Sequence, residues 1–165
     1  PAIVGVVNLL EIQNKALAYK DIRKKRDAEF EKSKEEIGKK ERELRKIDQA
    51  LAAKIGKIPE EELNKEKEDL RKKLTAFLAE AQNRREALNE AFIKSMTKLQ
   101  LSVLAPIIEA VAIERGVNLV LNNTQIVFFA PSMDMTEEVL KRLDSKAPTG
   151  EFLMPAKSSS EKAKK

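Results

Sequence analysis

Apolar residues recur at every seventh position along the first half of a long, charge-rich segment. They are Phe30, Ile37, Leu44, Leu51 and Ile58, and the positions three residues after them are mostly polar. A seven-residue spacing predicts left-handed pairing of helices. Only one apolar residue falls in each heptad where two are usual, so the line of contact between the helices, here called the seam, should be thin.

The segment has one break, at Gly56-Lys57-Ile58-Pro59. Glycine suits the left-handed conformation that ends a helix, and proline suits the first turn of the next helix. A single helix through Pro59 would cost about 3 kcal/mol. The pattern therefore predicts an antiparallel helical hairpin over residues 19–105, with its tip near residues 56–59 and with pairing that weakens toward the tip.

The returning arm carries apolar residues in steps of four and three, and residues 99–113 are apolar on almost every face. That end of the helix should be buried, and Pro106 should kink it and remove one hydrogen bond. At a rise of ~1.5 Å per residue, each arm should extend on the order of 55–60 Å. Arms of this length are expected to protrude from a small base.

The flanks of the hairpin carry strand-like patterns. Residues 2–8 predict a strand, residues 9–18 a short helix, and residues 117–121 and 125–130 two strands joined by a turn at Asn122-Asn123. A last helix is predicted to be capped by Thr136. Its expected buried stripe consists of Met135, Val139, Leu140 and Leu143.

These elements predict an α+β fold in which a small β base, made of residues 1–18 and 106–143, carries the protruding antiparallel coiled-coil hairpin. Residues 144–165 are predicted to form a disordered tail. Three short strands leave exposed edges in one chain, so self-association through the strands is expected.

Composition narrows the function classes. The 165 residues contain no Cys and no His, which removes the usual nucleophiles, general bases and zinc ligands. We predict no enzyme activity, no catalytic residue, no metal site and no cofactor. No uninterrupted apolar run approaches the ~20 residues that span a bilayer.

Charge is unevenly distributed. Net charge is +5, and residues 19–58 hold 14 Lys and Arg against 9 Asp and Glu. The run Arg23-Lys24-Lys25-Arg26 suggests nucleic-acid binding, but no aromatic residue is interleaved with it and acidic residues lie beside it. A solvated helix face is the favoured interpretation, and no specific nucleic acid is predicted as a partner.

Three segments together resemble the Skp (OmpH-like) family of periplasmic chaperones. They are Ile3-Val4-Gly5-Val6-Val7-Asn8, the stretch from Pro106-Ile107-Ile108 to Gly116-Val117-Asn118-Leu119-Val120-Leu121, and Asp134-Met135-Thr136-Glu137-Glu138-Val139-Leu140-Lys141. The resemblance covers roughly residues 2–143. It implies a homotrimer whose strands pool into a barrel, with three hairpins around a cavity. It also implies an ATP-independent holdase chaperone that binds unfolded outer-membrane β-barrel proteins in the periplasm.

The residues that would carry this function form three sets. Contact with the unfolded chain is assigned to Phe30, Ile37, Ile58, Leu63, Leu70 and Phe77. The trimer base is assigned to Val4, Val6, Leu119, Leu121, Val127 and Phe129. The family's lipopolysaccharide or anionic-surface site is assigned to Lys73, Arg84 and Arg85. The alternative is a structural coiled-coil adaptor or stalk, for which the same apolar residues form nothing more than a seam.

Overall fold

A computed structural model describes residues 1–155 of the chain. It divides into two compact units. Residues 1–26 and the chain from residue 90 onward form one of them, here called the base unit. Residues 27–89 form the other, the hairpin unit. Each division falls inside a helix rather than at the predicted limits after residues 18 and 105.

The hairpin unit consists of the C-terminal part of helix α2 (Leu17–Ala53), the tip, and the N-terminal part of helix α3 (Glu60–Leu99). At the tip, Gly56 adopts a φ of +78°, as a glycine that ends a helix does. The carbonyl of Pro59 accepts the Leu63 N–H at 3.0 Å, and Glu60 begins an acidic first turn of α3. The predicted helical hairpin and its tip are confirmed.

Ion pairs between the arms fix their register. Glu36 binds Arg84, Lys40 binds Glu80, and Lys54 binds Glu66. The two residue numbers in each of these pairs add up to 120, so the arms run antiparallel without a slip. Most of these side chains are substantially exposed, and such pairs contribute little stability individually. Their use is to specify which positions face each other.

The base unit combines a two-stranded sheet with helices. Its elements are β1 (Val4–Val7), α1 (Leu9–Lys15), the first turns of α2, the end of α3, a π-helical turn (Gln100–Leu104), α4 (Ala105–Glu114), β2 (Leu119–Asn122) and α5 (Thr136–Lys146). The strands are parallel, with Val4 opposite Leu119 and Val7 opposite Asn122. One apolar core joins α1, α4, α5 and the ends of the long helices.

Gly5 lets α5 approach the sheet. A Cβ atom on Gly5 would lie 2.3 Å from the Met135 sulfur and 3.1 Å from a Val117 methyl. On the same side, the Met135 N–H donates to the Val6 carbonyl at 2.8 Å. The absence of a side chain at Gly5 therefore places the start of α5 against β1.

The prediction of a third strand over residues 125–130 is wrong, and so is the predicted turn at Asn122-Asn123 that would join it to the strand before. Asn123–Gln125 is a short 3₁₀ helix, and within the described residues the chain from 126 to 130 pairs with no strand. Its backbone is nevertheless extended at both ends, with φ and ψ of −99° and 120° at Ile126 and −69° and 140° at Ala130. An apolar, β-branched run favours extended backbone but does not supply a neighbour to pair with.

Two local predictions are refined. The disruption expected at Pro106 is a π-helical turn just before it, where the Ala105 N–H donates to the Gln100 carbonyl. Thr136 is the first residue of α5 and not its cap. The Asp134 carboxylate accepts the Thr136 N–H at 2.9 Å, while the Thr136 hydroxyl accepts the Asn8 N–H at 2.9 Å.

The predicted disordered tail is wrong for its first part. Helix α5 continues to Lys146, Gly150 is buried, and Phe152 packs against the core. The rest of that prediction, for residues 156–165, lies outside the described residues. Sequence composition missed this packing because the bonds that hold residues 147–155 come from side chains far away in the sequence.

The helical stretch Glu60–Glu114 is long and apolar enough to cross a membrane by length and composition alone. Lys98, Gln100 and Glu109 interrupt its apolar part, which is why no continuous apolar run was visible in the sequence. Several of its large apolar side chains are exposed in the single chain, including Leu101 and Ile113.

Candidate functional site

A groove of about 1140 Å³ lies within the hairpin unit. Its walls come from one segment of α2, residues 30–42, and one segment of α3, residues 78–85. The apolar lining residues are Phe30, Ile37, Leu78 and Ala81. Acidic and basic side chains alternate around them, so the groove offers an apolar strip with a mixed-charge border.

The groove exists because the seam is thin at this level. Where a regular coiled coil would place large apolar residues, α2 has Ser33 and α3 has Ala81. Phe30 and Ile37 face inward but stay half-buried, since no large side chain closes over them. The groove was not predicted from the sequence, although the polar companion positions in the heptads were its signal.

The seam is closed toward the tip instead. Leu51, Leu63 and Leu70 form a buried cluster, with Leu44 and Ile58 packed against it. This reverses the prediction that pairing weakens toward residues 56–59. Leu51 of α2 packs in this cluster with Leu63 and Leu70 of α3, and Leu63 lies one turn after Pro59.

The six residues assigned to client contact fall into two groups. Phe30 and Ile37 line the groove, and Phe77 is half-buried on α3 beside it. Ile58, Leu63 and Leu70 belong to the tip cluster, where Leu63 and Leu70 are only 8% and 7% exposed. Leu78, 65% exposed in the groove wall, was not among the six. The contact role of all six remains a prediction.

The basic residues assigned to an anionic ligand are not equivalent. Arg84 is bound to Glu36 of the opposite arm at 2.7 Å. Arg85 lines the groove, and Lys73 is exposed three turns earlier on α3. The assignment remains a prediction, in which Lys73 and Arg85 contribute more free charge than Arg84.

The basic run at the start of α2 has structural contacts in the base unit. Arg23 donates to the carbonyls of Gln13 and Asn14 at the end of α1. The Arg26 guanidinium lies 4.3 Å from the centre of the Phe92 ring, a cation–π geometry. These contacts give part of the run a role inside the fold that a solvated helix face does not describe.

The residues assigned to a trimer base differ in exposure. Val6 is completely buried inside the chain's own core, and Val4 and Phe129 are half-buried. Leu119, Leu121 and Val127 are exposed. Phe128, which was not assigned, is 84% exposed. The exposed members form the outward side of β2 and the extended segment that follows it.

Two polar features of the base unit were not predicted. Arg142 of α5 binds both Glu138 and Glu114 at the end of α4, and its hydrogen bonds lower the pKa of both carboxyls. The Tyr19 side chain is completely buried, and burial raises its pKa to about 12. Its hydroxyl has no hydrogen-bond partner among the residues that the structure describes.

The chain is an α+β protein of the class that carries a long antiparallel helical hairpin. The hairpin unit has an open apolar groove, and the base unit is built on a parallel pair of strands. The family model for outer membrane protein (OmpH-like) matches residues 3–143. The chain belongs to this family.

A solved structure shares the fold. The crystal structure of a chain described as an outer membrane chaperone (OmpH-like) from Caulobacter crescentus superposes with a TM-score of 0.87 at 20% sequence identity. The match covers 96% of this chain and 95% of that one. The likeness confirms the α+β hairpin fold. A search of curated proteins finds no match to this sequence.

Proposed function

We propose that this protein is an ATP-independent holdase chaperone of the periplasm. It forms a homotrimer, and it keeps unfolded outer-membrane β-barrel proteins from aggregating by binding them in a cavity between the trimer's arms. The observation that carries the proposal is the apolar groove in the middle of the hairpin. The C. crescentus relative, described as an outer membrane chaperone, supports the same class of function.

The groove suits weak and non-selective binding. It joins Phe30, Ile37 and Leu78 into an apolar strip, and Glu31, Lys34 and Arg85 among others border it with both signs of charge. An unfolded chain can place an apolar segment on the strip without adopting one fixed conformation. Three arms in one assembly would sum three such contacts into useful affinity through multivalency.

The exposed apolar surface of the base unit supports the trimer. Val127 is fully exposed, Phe128 is 84% exposed, and Leu119 and Leu121 are 45% and 41% exposed. These four exposed side chains all lie within residues 119–128, and exposed apolar surface of this kind commonly marks a site of protein association. A two-stranded parallel sheet also needs further strands or covering layers. The extended segment 126–130 can supply a strand to a neighbouring copy.

The experiment measures solution mass by light scattering and then the aggregation of a urea-unfolded outer-membrane β-barrel protein after dilution. We expect the mass of three chains and suppression of aggregation near one trimer per client without ATP. A monomeric mass would refute the cavity. A trimer that leaves aggregation unchanged would favour the structural adaptor.

A matched pair of substitutions tests the groove. Leu78→Ser removes an apolar side chain that is 65% exposed in the groove wall, whereas Ile93→Ser removes one that is 64% exposed on the same helix but outside the groove. We expect Leu78→Ser to weaken client binding several-fold and Ile93→Ser to leave it near the wild-type value. Equal effects of the two substitutions would contradict the assignment of binding to the groove.

A further inference from the structure

The chain segment 147–155, here called the strap, is bound in the base unit through its main chain. The Gly150 N–H donates to the Asp21 carboxylate at 2.9 Å, and the Gly150 carbonyl accepts from the Lys25 ammonium at 2.6 Å. On the other helix, the Leu153 N–H donates to the Ser95 hydroxyl at 2.8 Å. The start of α2 and the end of α3 therefore bind one irregular segment from both sides.

The helix side chains that make these bonds are held in place without the strap. The Ser95 hydroxyl donates to the Ala91 carbonyl one turn earlier, within its own helix. Asp21 and Lys25 form an ion pair of 2.8 Å across one turn of α2. The Asp21 carboxylate, the Lys25 ammonium and the Ser95 hydroxyl all form hydrogen bonds with peptide groups of the strap. Because all three are held by their own helices, they constitute a preformed recognition surface.

The surface selects glycine at one position. A Cβ atom on residue 150 would lie 2.3 Å from the Ala18 carbonyl oxygen and 2.5 Å from an Ile22 carbon. Backbone and a fully buried side chain cannot both move away, so a larger residue is excluded there. Two positions later, Phe152 packs against the core. The occupant is defined as a segment outside regular secondary structure, with glycine followed two residues later by an aromatic residue.

We infer that the channel between α2 and α3, formed by Ala18, Asp21, Ile22, Lys25 and Ser95, is a peptide-binding site that the chain fills with its own strap. The strap is an intramolecular ligand, and a segment of the same chemistry from another chain enters only when the strap leaves. The inference stands on the base unit alone and does not depend on the proposed holdase function.

Tethering makes the strap a strong competitor. A short linker gives an effective concentration on the order of 1 mM. If the strap peptide has an intrinsic dissociation constant of about 0.1 mM, the site is about 90% occupied in the intact chain, and a peptide added in solution binds roughly ten-fold more weakly than to the open site.

The test uses the full chain with Gly150→Ala, which should release the strap and leave the channel intact. Its matched control is Gly38→Ala, where the nearest atom to an added Cβ is an arginine nitrogen at 3.4 Å. The first readout is limited digestion with chymotrypsin. We expect cleavage after Phe152 to rise at least ten-fold in Gly150→Ala and to stay unchanged in Gly38→Ala.

The second readout is fluorescence anisotropy with a labelled nine-residue peptide of the sequence of residues 147–155. We expect it to bind the Gly150→Ala chain about ten-fold more tightly than the wild-type or Gly38→Ala chain. The same peptide carrying alanine in place of its glycine should not bind. Two results would overturn the inference: a released strap with no peptide binding up to 1 mM, or equal binding of the glycine and alanine peptides.

Discussion

Replacing Leu70 by alanine should open the tip of the hairpin without unfolding the base unit. Leu70 is 7% exposed and forms the tip cluster with Leu51 and Leu63. Large apolar residues of the hairpin unit are buried in the tip cluster and at Leu88, whereas the groove between these two levels leaves Phe30 and Ile37 half-buried. Pairing near the tip should therefore depend strongly on the three side chains of the tip cluster.

The magnitude follows from the buried fraction. Leucine to alanine removes three carbon atoms, worth about 0.8 kcal/mol each when fully buried, or about 2 kcal/mol for Leu70. Little is added for a cavity, because the two helices can close or separate into solvent. Leu78 is the matched control on the same helix, and at 65% exposure the same change should cost about 0.8 kcal/mol.

Hydrogen–deuterium exchange measures the local opening directly. For amides near the tip, 2 kcal/mol corresponds to roughly thirty-fold faster exchange, against roughly four-fold for Leu78→Ala. Amides of β1 and α5 should keep their wild-type rates in both variants. Equal acceleration in the base unit, or the same acceleration at the tip by both substitutions, would refute the account of a seam closed locally by the tip cluster.

Three further substitutions test single features. Tyr19→Phe should raise the free energy of unfolding in urea by about 1 kcal/mol or more, because it removes a buried hydroxyl that has no partner within residues 1–155; a loss of stability would mean that the hydroxyl is satisfied in solution. Gly56→Ala should cost about 1 kcal/mol in local exchange at the tip because its φ is +78°, and unchanged exchange would contradict this. Arg142→Met should destabilise the protein at pH 7, and this difference should shrink as the pH falls below the ordinary carboxyl range. Arg142 lowers the pKa of Glu114 and Glu138, so its contribution is present above the ordinary carboxyl range and lost as the pH falls through the lowered values; a difference independent of pH would count against the ion pairs.

The hairpin was predictable because its determinants are local. The heptad spacing from Phe30 to Ile58 and the glycine at the tip each act within a few turns of helix. The closed tip was missed because a count of apolar residues along α2 alone gives the same value at every heptad. What distinguishes the tip is the contribution of Leu63 and Leu70 from the other arm, at a register that the ion pairs specify.

The base unit was less predictable because its contacts join distant parts of the chain. Residues 126–130 have strand composition and extended backbone, but pairing depends on a neighbour that the sequence pattern cannot name. The strap was assigned to a tail by composition, while its binding depends on Asp21 and Ser95, more than fifty residues away. The groove was only partly predictable from the sequence, because Ser33 and Ala81 indicate a gap in the seam only when the two arms are aligned.

The parallel pairing of β1 with β2 has a consequence for the order of folding. Val4 meets Leu119 across 115 residues, and closing a flexible loop of that length costs on the order of 4 kcal/mol in chain entropy. Helices and their local pairing form in microseconds and require no such closure. Once the hairpin has folded, the start of α2 and the end of α3 are brought together, so the loop that must still be closed between the two strands is much shorter. The sheet should therefore form last, and a substitution that slows closure of the hairpin should also slow formation of the sheet, although it lies far from either strand.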